Sequence, residues 1–427
     1  MATYLTRTQA AGTSRKIFTV SMWIKKTTNS PGHEQYIFHS WNDGNNRFMV
    51  ALQNDDTLQI RERASASTSL QIDTNRKFRD TNAWYHIVVR VDTTQSTAAD
   101  RIRIYINGEQ ETSFSTASYP SQDLDLQIGT SSYTFYLAEY GGGGNNFNGL
   151  ASHWNFADGQ SLAPTEFGET DSTTGEWKIN TSPSVTYGTN GFFILKDGNS
   201  VTDQSGNSNN FTVGGGTFTK TEDNPSNVFC VLNPLDKHIG GTAPTFVNGN
   251  TRWIASGANN SNCGVRATIG ASSGKYYFEA KYVIALYTNV GMSLDNGTNP
   301  WNGDGDIGSV SSFYGVQSEG AKRVAGIQTH GIFTALSNND IGMFAYDLDN
   351  NKFWFGVNGS WVASGNPTTG DNPLGTLASG TYLPSLSNGS WDTASSTAFN
   401  FGNGYFRGSA VSSAGTNASG IGIFEYD

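Results

Sequence analysis

Trp84-Tyr85-His86-Ile87-Val88-Val89-Arg90-Val91-Asp92, followed by Arg101 to Ile106 and then Asn107-Gly108, decides the fold. The first stretch reads as the strongest strand of the N-terminal half, and the second as its neighbour. Asn107-Gly108 supplies two residues that tolerate positive φ, the requirement of a type I′ hairpin turn. The same grammar extends outward. Phe18 to Ile24 alternates apolar and polar side chains at the period of a half-buried strand. Glu34 to Trp41 is a further strand, closed by Asn42-Asp43-Gly44-Asn45-Asn46. Arg47 to Gln53 and Leu58 to Arg63 form a hairpin around residues 54–57. In the C-terminal half, Gly274 to Tyr282, Asp340 to Asp347, Lys352 to Val357 and Ser396 to Gly402 read as strands, with Asn358-Gly359 as a second tight turn. The best helical segment is short, Ala163 to Gly168, with Pro164 in its first turn.

Composition agrees with this reading. The 427 residues include 50 Gly and 41 Asn, only 15% charged residues, and 25 Phe, 18 Tyr and 10 Trp. Helical bundles need Ala, Glu, Lys and Leu instead, and disordered chains lack aromatics. A strict Gly period, the mark of collagen, is absent. The expected fold class is therefore all-β: two antiparallel sandwiches with a turn-rich connector. Residues 1–170 form the first sandwich, 171–240 the connector with its short strands and 241–427 the second. Each alternating strand has one apolar face that must be buried against another sheet.

The net charge of −10 without a basic cluster excludes nucleic-acid binding as an expectation. The stretch from Met1 to Ala11 lacks the apolar centre of a signal peptide, and no run of 18 apolar residues suggests a membrane span. Cys230 and Cys263 do not make a disulfide framework and read as free thiols.

The first half resembles the laminin-G-like, concanavalin A-like lectin/glucanase sandwich, on Phe18 to Ile24, Trp84 to Val89, Arg103 to Gly108 and Phe147 to Ala151. Several segments are similar to proteins of tailed bacteriophages, notably marine ones: Phe156 to Glu169, Tyr187 to Phe192, Asp203 to Asn207, Asn224 to Asn227 and Leu232 to Asp236. The last part resembles a SPRY domain, with Gly274 to Glu279 as its opening strand, Asp340 to Trp361 as its central hairpin and Phe399 to Gly402 as its closing strand. These resemblances imply a virion surface or fibre protein that meets a host glycan or receptor. They also imply other virion proteins as partners and a symmetric homo-oligomer. A capsid decoration that stabilises the particle is the alternative role.

The glucanases of the concanavalin A-like class place two carboxylates on one strand face, as nucleophile and acid/base. Asp123-Leu124-Asp125 has the alternation without a Glu partner, and Glu109-Gln110-Glu111 follows a turn and lacks the rest. No enzymatic activity is expected, and polysaccharide hydrolysis is the second alternative. The six His form no close metal-ligand pair, and His86 reads as a packed sheet residue. Asn302, Asp304 and Asp306 alternate on a tight loop in the way that suits Ca²⁺, although Ile307 and Phe313 stand where a calcium loop needs Gly and Glu. Glycan binding needs exposed rings beside amides and carboxylates at loop tips. Two clusters qualify: Trp41 with Asp43 and Asn45, and Trp301 with Asp304, Asp306 and Tyr314. Tyr133, Tyr136 and Tyr140 form a third.

Overall fold

The computed structural model describes residues 3–426 apart from 197–199, 240–242, 256–262, 296–305, 389–393, 417–419 and 421. Its fold is all-β, built from antiparallel sheets, with single turns of 3₁₀ helix as its helical elements among the described residues. No helix among them is long and apolar enough to cross a membrane. The chain forms two compact units, residues 1–220 with 224–228, and residues 221–223 with 229–427.

The strands of the first unit are, in chain order, β1 (Tyr4–Thr8), β2 (Ile17–Lys26), β3 (Gln35–Asp43), β4 (Asn46–Leu52), β5 (Thr57–Ala64), β6 (Ser67–Lys77), β7 (Trp84–Asp92), β8 (Ile102–Ile106), β9 (Glu109–Glu111), β10 (Phe114–Ser118), β11 (Thr134–Leu137), β12 (Gly149–Asp158), β13 (Gly168–Thr170), β14 (Trp177–Ile179), β15 (Phe192–Ile194) and β16 (Thr212–Gly215). They build an eight-stranded sheet in the order β10-β6-β5-β4-β3-β11-β1-β16 and a six-stranded sheet in the order β15-β12-β2-β7-β8-β9. Between β8 and β9, Asn107 and Gly108 have φ of 50° and 82°, the turn that their side chains favour.

Period-two alternation assigns each side chain to a face. Phe18, Val20, Met22 and Ile24 of β2, Ile87, Val89 and Val91 of β7, Phe38 of β3, Val50 of β4 and Ile60 of β5 meet in one buried core. Its centre is a set of phenylalanine rings. Phe18 and Phe48 lie 5.3 Å apart edge to face, Phe135 and Phe156 5.3 Å, and Phe192 and Phe211 4.7 Å. Each such pair contributes about 0.5–1.5 kcal/mol beyond the area it buries. At one end Lys26, on the same face as Ile24, is fully buried. Its Nζ lies 2.6 Å from Asp56 Oδ1 and donates to the Phe78 carbonyl at 2.8 Å.

The short strands of residues 171–240 join both units. β15 pairs with β12 and β16 with β1, while Leu232–Ile239 pairs with Cys263–Ala267 in the second unit. These pieces are short and interrupted by Gly and Asn, so their patterning is weak; they become strands because long strands already present offer an edge. The Ala163 to Gly168 segment closes as a single 3₁₀ turn, Pro164–Glu166.

The second unit is also two-layered. One sheet runs, in spatial order, Leu232–Ile239, Cys263–Ala267, Thr381–Asn388, Thr288–Asp295, Phe313–Gln317, Ala321–Val324 and Ile327–Thr329. The other runs Thr245–Val247, Arg252–Ala255, Ser395–Asn400, Lys275–Ile284, Ile341–Asp347, Lys352–Val357 and Ser360–Trp361, with Gly375–Thr376 beside Lys352–Val357. Trp253, Phe278, Tyr282, Phe344, Tyr346, Phe355 and Phe399 fill the space between them. Cys230 and Cys263 are not joined by a disulfide, and burial pushes the pKa of the Cys263 thiol up to about 12.

Candidate functional site

The outer face of the eight-stranded sheet of the first unit carries the densest group of partly open rings among the sequence candidates. On β3 a bulge between Tyr36 and Phe38 resets the alternation, so that Phe38 and Ser40 face the core while Tyr36, His39 and Trp41 face outward. The register sets Trp41 opposite Arg47 and His39 opposite Met49 on β4, and His39 opposite Tyr136 on β11. The Trp41 and Tyr136 rings meet edge to face at 5.8 Å, and Tyr136 leans on Tyr4 at 6.3 Å.

The loop after β11 brings Tyr140 back over this face. Gly143 N–H donates to the Tyr140 carbonyl, Tyr140 N–H to that of Gly144, and Tyr36 N–H to that of Asn145. Tyr140 stacks on His39 at 5.4 Å and contacts Tyr36 at 5.0 Å. The Arg47 guanidinium lies 5.3 Å from the Tyr140 ring centre, and its Nη1 donates to the Tyr140 hydroxyl at 3.0 Å. Gly141 passes so close to Trp41 that a Cβ there would sit 2.4 Å from Cγ of the indole. Its N–H donates to His39 Nδ1 at 3.0 Å, which assigns the imidazole proton to Nε2. His39 is fully buried, and burial together with the Arg47 charge holds its pKa well below the ordinary histidine value. The imidazole is neutral at physiological pH. Neither its Nε2–H nor the Trp41 indole N–H has an acceptor among the described residues.

Asp43 and Asn45 sit at the hairpin tip beside Trp41. Asp43 Oδ1 accepts from the N–H groups of Asn45 at 2.7 Å and Asn46 at 3.0 Å, and the Asn42 and Asn46 amides bond the same carboxylate. These bonds hold its pKa below the usual carboxylate range, so Asp43 stays ionised and organises the turn. The Asn45 side chain is exposed.

Of the sequence candidates, the structure thus brings together Trp41, Asp43, Asn45, Tyr136 and Tyr140. The Tyr133 hydroxyl donates to Gln127 Oε1 at 2.8 Å. In the second unit, Tyr314 is corrected from a surface ring to a core ring. It is 5% exposed, packs edge to face on Tyr382 at 5.6 Å and offers no face to a sugar. Trp301, Asn302 and Asp304 lie outside the described residues. Asp306 is described, and its carboxylate caps the 3₁₀ turn Ile307–Ser309: Oδ1 accepts from Gly308 N–H at 2.9 Å, Asn289 Nδ2 at 2.7 Å and Ser387 Oγ at 3.2 Å. Among the described residues no three His, Cys, Asp or Glu side chains gather to hold a metal ion.

Sequence reading missed Tyr4, Tyr36, His39 and Arg47 as members of the outer-face group. Alternation along β3 and β4 places His39, Trp41 and Arg47 on one side, but the bulge at Tyr36 hides that residue from a simple period-two count.

Two arrangements invite a catalytic reading and do not support one. His86 on the outer face of the six-stranded sheet is fully buried between Trp23, 4.7 Å away, and Trp177, 5.9 Å away. Trp177 Nε1 donates to His86 Nδ1 at 2.9 Å, so Nε2 holds the proton and donates to Ser21 Oγ at 2.9 Å. A base must accept the serine proton, and this imidazole is oriented as its donor. Burial pushes the His86 pKa down to about 3. The acidic pairs are similarly committed or dispersed. Glu111 binds Arg76 and the N–H groups of Thr112 and Ser113, and Asp123 and Asp125 stand exposed outside the strands.

Residues 2–166 match the family model described as the Concanavalin A-like lectin/glucanases superfamily. No curated protein matches the chain in sequence. Among solved structures, the SPRY domain of human HERC1 is 14% identical, with 39% of this chain and 96% of that chain covered and a TM-score of 0.32. The TRIM65 PSpry domain is 13% identical, covering 40% and 90%, with a TM-score of 0.29. The native heptameric SAP-like pentraxin from Limulus polyphemus is 19% identical, covering 38% and 71%, with a TM-score of 0.28. Over residues 2–166, the part that holds the Trp41–Tyr140 face, the chain is thus similar to the concanavalin A-like lectins and glucanases, in an all-β fold compatible with carbohydrate or receptor binding.

Proposed function

We propose that this chain is a non-enzymatic carbohydrate-recognition protein that binds its glycan on the outer face of the eight-stranded sheet of the first unit. The observation that carries this reading is the group Trp41, Tyr136 and Tyr140, three partly open rings beside Asp43 and Asn45. Sugar rings present axial C–H faces that pack on aromatic rings, while their hydroxyls bond amides, carboxylates and N–H groups. The face is preformed: Arg47, His39 and Gly141 fix Tyr140 and Trp41 by bonds and contacts already made, which lowers the ordering cost of binding.

The segments Phe156 to Glu169, Tyr187 to Phe192 and Asp203 to Asn207, similar to bacteriophage proteins, support a setting on the surface of a virion, where a weak glycan site would be multiplied by a symmetric assembly. A cation at Asn302, Asp304 and Asp306 belongs to this reading only as a secondary element of the second unit.

A glycan array probed with the full chain tests the function. Binding to a defined glycan set, reduced at least tenfold by Trp41→Ala with the far-ultraviolet circular dichroism and the melting cooperativity unchanged, supports it. Full retention of binding by both Trp41→Ala and Tyr140→Ala contradicts it, and release of reducing sugar from a bound polysaccharide contradicts its non-enzymatic part.

A further inference from the structure

The ring group is bordered by a row of arginines that the charge of the chain does not lead one to expect. Alternation sets Arg61 and Arg63 of β5 on the outer face, since Ile60 and Glu62 face the core side. The ladder places Arg63 directly opposite Arg47, and Arg61 opposite Met49. Three guanidinium groups therefore share one face on two adjacent strands. Their backbones lie about 5 Å apart across the ladder and about 7 Å apart along β5. Like charges directly opposite in an antiparallel pair are unfavourable, and this chain carries 36 acidic residues against 26 basic ones.

None of the three lies within ion-pair distance of a carboxylate among the described residues. Arg47 donates to the Tyr140 hydroxyl at 3.0 Å, Arg61 to Thr68 Oγ1 at 3.4 Å, and Arg63 to the carbonyls of Gly44 at 3.3 Å and Ala66 at 2.9 Å. Every acceptor is neutral. The Nε–H of all three is shielded from solvent and has no acceptor. The carboxylates on this side are committed elsewhere. Asp73 takes the amides of Gln59 at 2.6 Å and Gln71 at 2.8 Å, Glu34 takes the Tyr36 hydroxyl at 2.9 Å, and Asp43 closes its own turn. Arginine presents a planar fork that binds carboxylate and sulfate-like oxygens with two parallel bonds, and its strength depends on charge and geometry together.

We propose that the ligand of this face is an acidic polysaccharide, whose sulfate or carboxylate groups are bound by Arg61 and Arg63 while a neighbouring sugar ring packs on Trp41 and Tyr140. The inference rests on the glycan-recognition reading and adds the charge class of the glycan. Both substituents present the same chemistry, an oxyanion on a pyranose chain, and the rings distinguish such a chain from an anion without sugar. Arg47 has a positioning role, since its guanidinium already holds Tyr140.

The test is a titration of the full chain at 150 mM NaCl with dextran sulfate, carboxymethyl-dextran, unmodified dextran and inorganic polyphosphate, a set in which backbone and charge vary separately. The expected result is binding of at least one of the two charged dextrans at least tenfold tighter than of dextran and of polyphosphate. The preferred charged dextran then identifies the oxyanion. Arg61→Gln with Arg63→Gln is expected to reduce that binding at least tenfold and to flatten its salt dependence. If the double variant does not fold, the single Arg61→Gln replaces it, since Arg61 gives up only the long bond to Thr68. Equal binding of dextran and its charged forms overturns the acidic class and leaves carbohydrate recognition standing. Polyphosphate bound as tightly as the charged dextrans, or unchanged affinity in the folded arginine variants, overturns the inference. Failure of all four polymers overturns it too, while the glycan array separately decides whether the underlying reading survives.

Discussion

Gly141 shows how one residue sets the outer face. Its missing side chain admits the Trp41 indole, and its N–H fixes the His39 tautomer. Gly141→Ala places a methyl group 2.4 Å from the indole and must displace one or the other. The expected result is a loss of about 1–3 kcal/mol of stability, as for other overpacked sites, with glycan affinity falling at least tenfold. Tryptophan fluorescence together with a binding titration checks both. Glu62 provides a pH test at the same scale. It is fully buried on the core side of β5, and burial pushes its pKa up to about 7, outweighing the Gln127 backbone N–H and the Arg15 charge. The native state therefore holds a proton that the unfolded chain releases near 4.5. Stability falls as the pH rises from about 4.5 to about 7 and is level above that. Glu62→Gln is expected to remove this slope and to raise the melting temperature at pH 8 by several degrees, since the shift corresponds to about 1 kcal/mol or more. Calorimetry at pH 5 and pH 8 measures the effect, and an unchanged slope would contradict it. His86 acts in the opposite sense. With its pKa lowered to about 3, it destabilises the fold as the pH drops from about 6.5 toward 3, a trend that Glu62→Gln should expose.

At the scale of elements, much of the fold is legible because long strands state their period. β2, β4, β5, β7 and β8, with the turn at Asn107-Gly108, were readable from alternation and turn chemistry. The faces were harder than the strands. Ring positions follow from sequence only while the register is regular, and the bulge on β3 moves Tyr36 to the side opposite Phe38. Whether an outward residue is exposed depends on what folds back over it. The hairpin β13–β14 covers His86 through Trp177, although its two three-residue strands carry almost no pattern. Glu279 lies on the outward side of its strand and is nonetheless fully buried, because residues near the C-terminal end cover it: its carboxylate accepts from the N–H groups of Glu425 at 2.9 Å and Tyr426 at 2.7 Å. Tyr314 is a core ring for the same kind of reason: an aromatic near a loop cannot be distinguished from a surface ring until its partner, Tyr382, is known. Trp177→Ala tests the role of the β13–β14 cover. Loss of the stack and of the bond to Nδ1 is expected to lower stability by about 2 kcal/mol or more and to let the His86 pKa climb back toward 6.5. Imidazole proton shifts followed by NMR would show this, and a His86 that stays neutral at pH 5 in the variant would count against it.

For the whole molecule, the Gly, Asn and aromatic balance describes two separate all-β cores. The first holds the phenylalanine set around Phe18, Phe48 and Phe156, the second that around Phe278, Phe344 and Phe399. Each core closes within its own unit, so residues 1–228 expressed alone are expected to unfold in a single cooperative transition; a broad, non-cooperative melt would contradict that independence. The overall acidity conceals the arginine row, because net charge averages over a chain in which Arg47, Arg61 and Arg63 occupy one face. The central claim is that a glycan binds this face of the first unit. Hydrogen–deuterium exchange of the full chain, with and without saturating dextran sulfate, tests it most directly. The account predicts added protection in residues 36–49, 59–66 and 136–147, with the rest of the chain unchanged; protection confined to the second unit, or absent from these three segments at saturation, would contradict it.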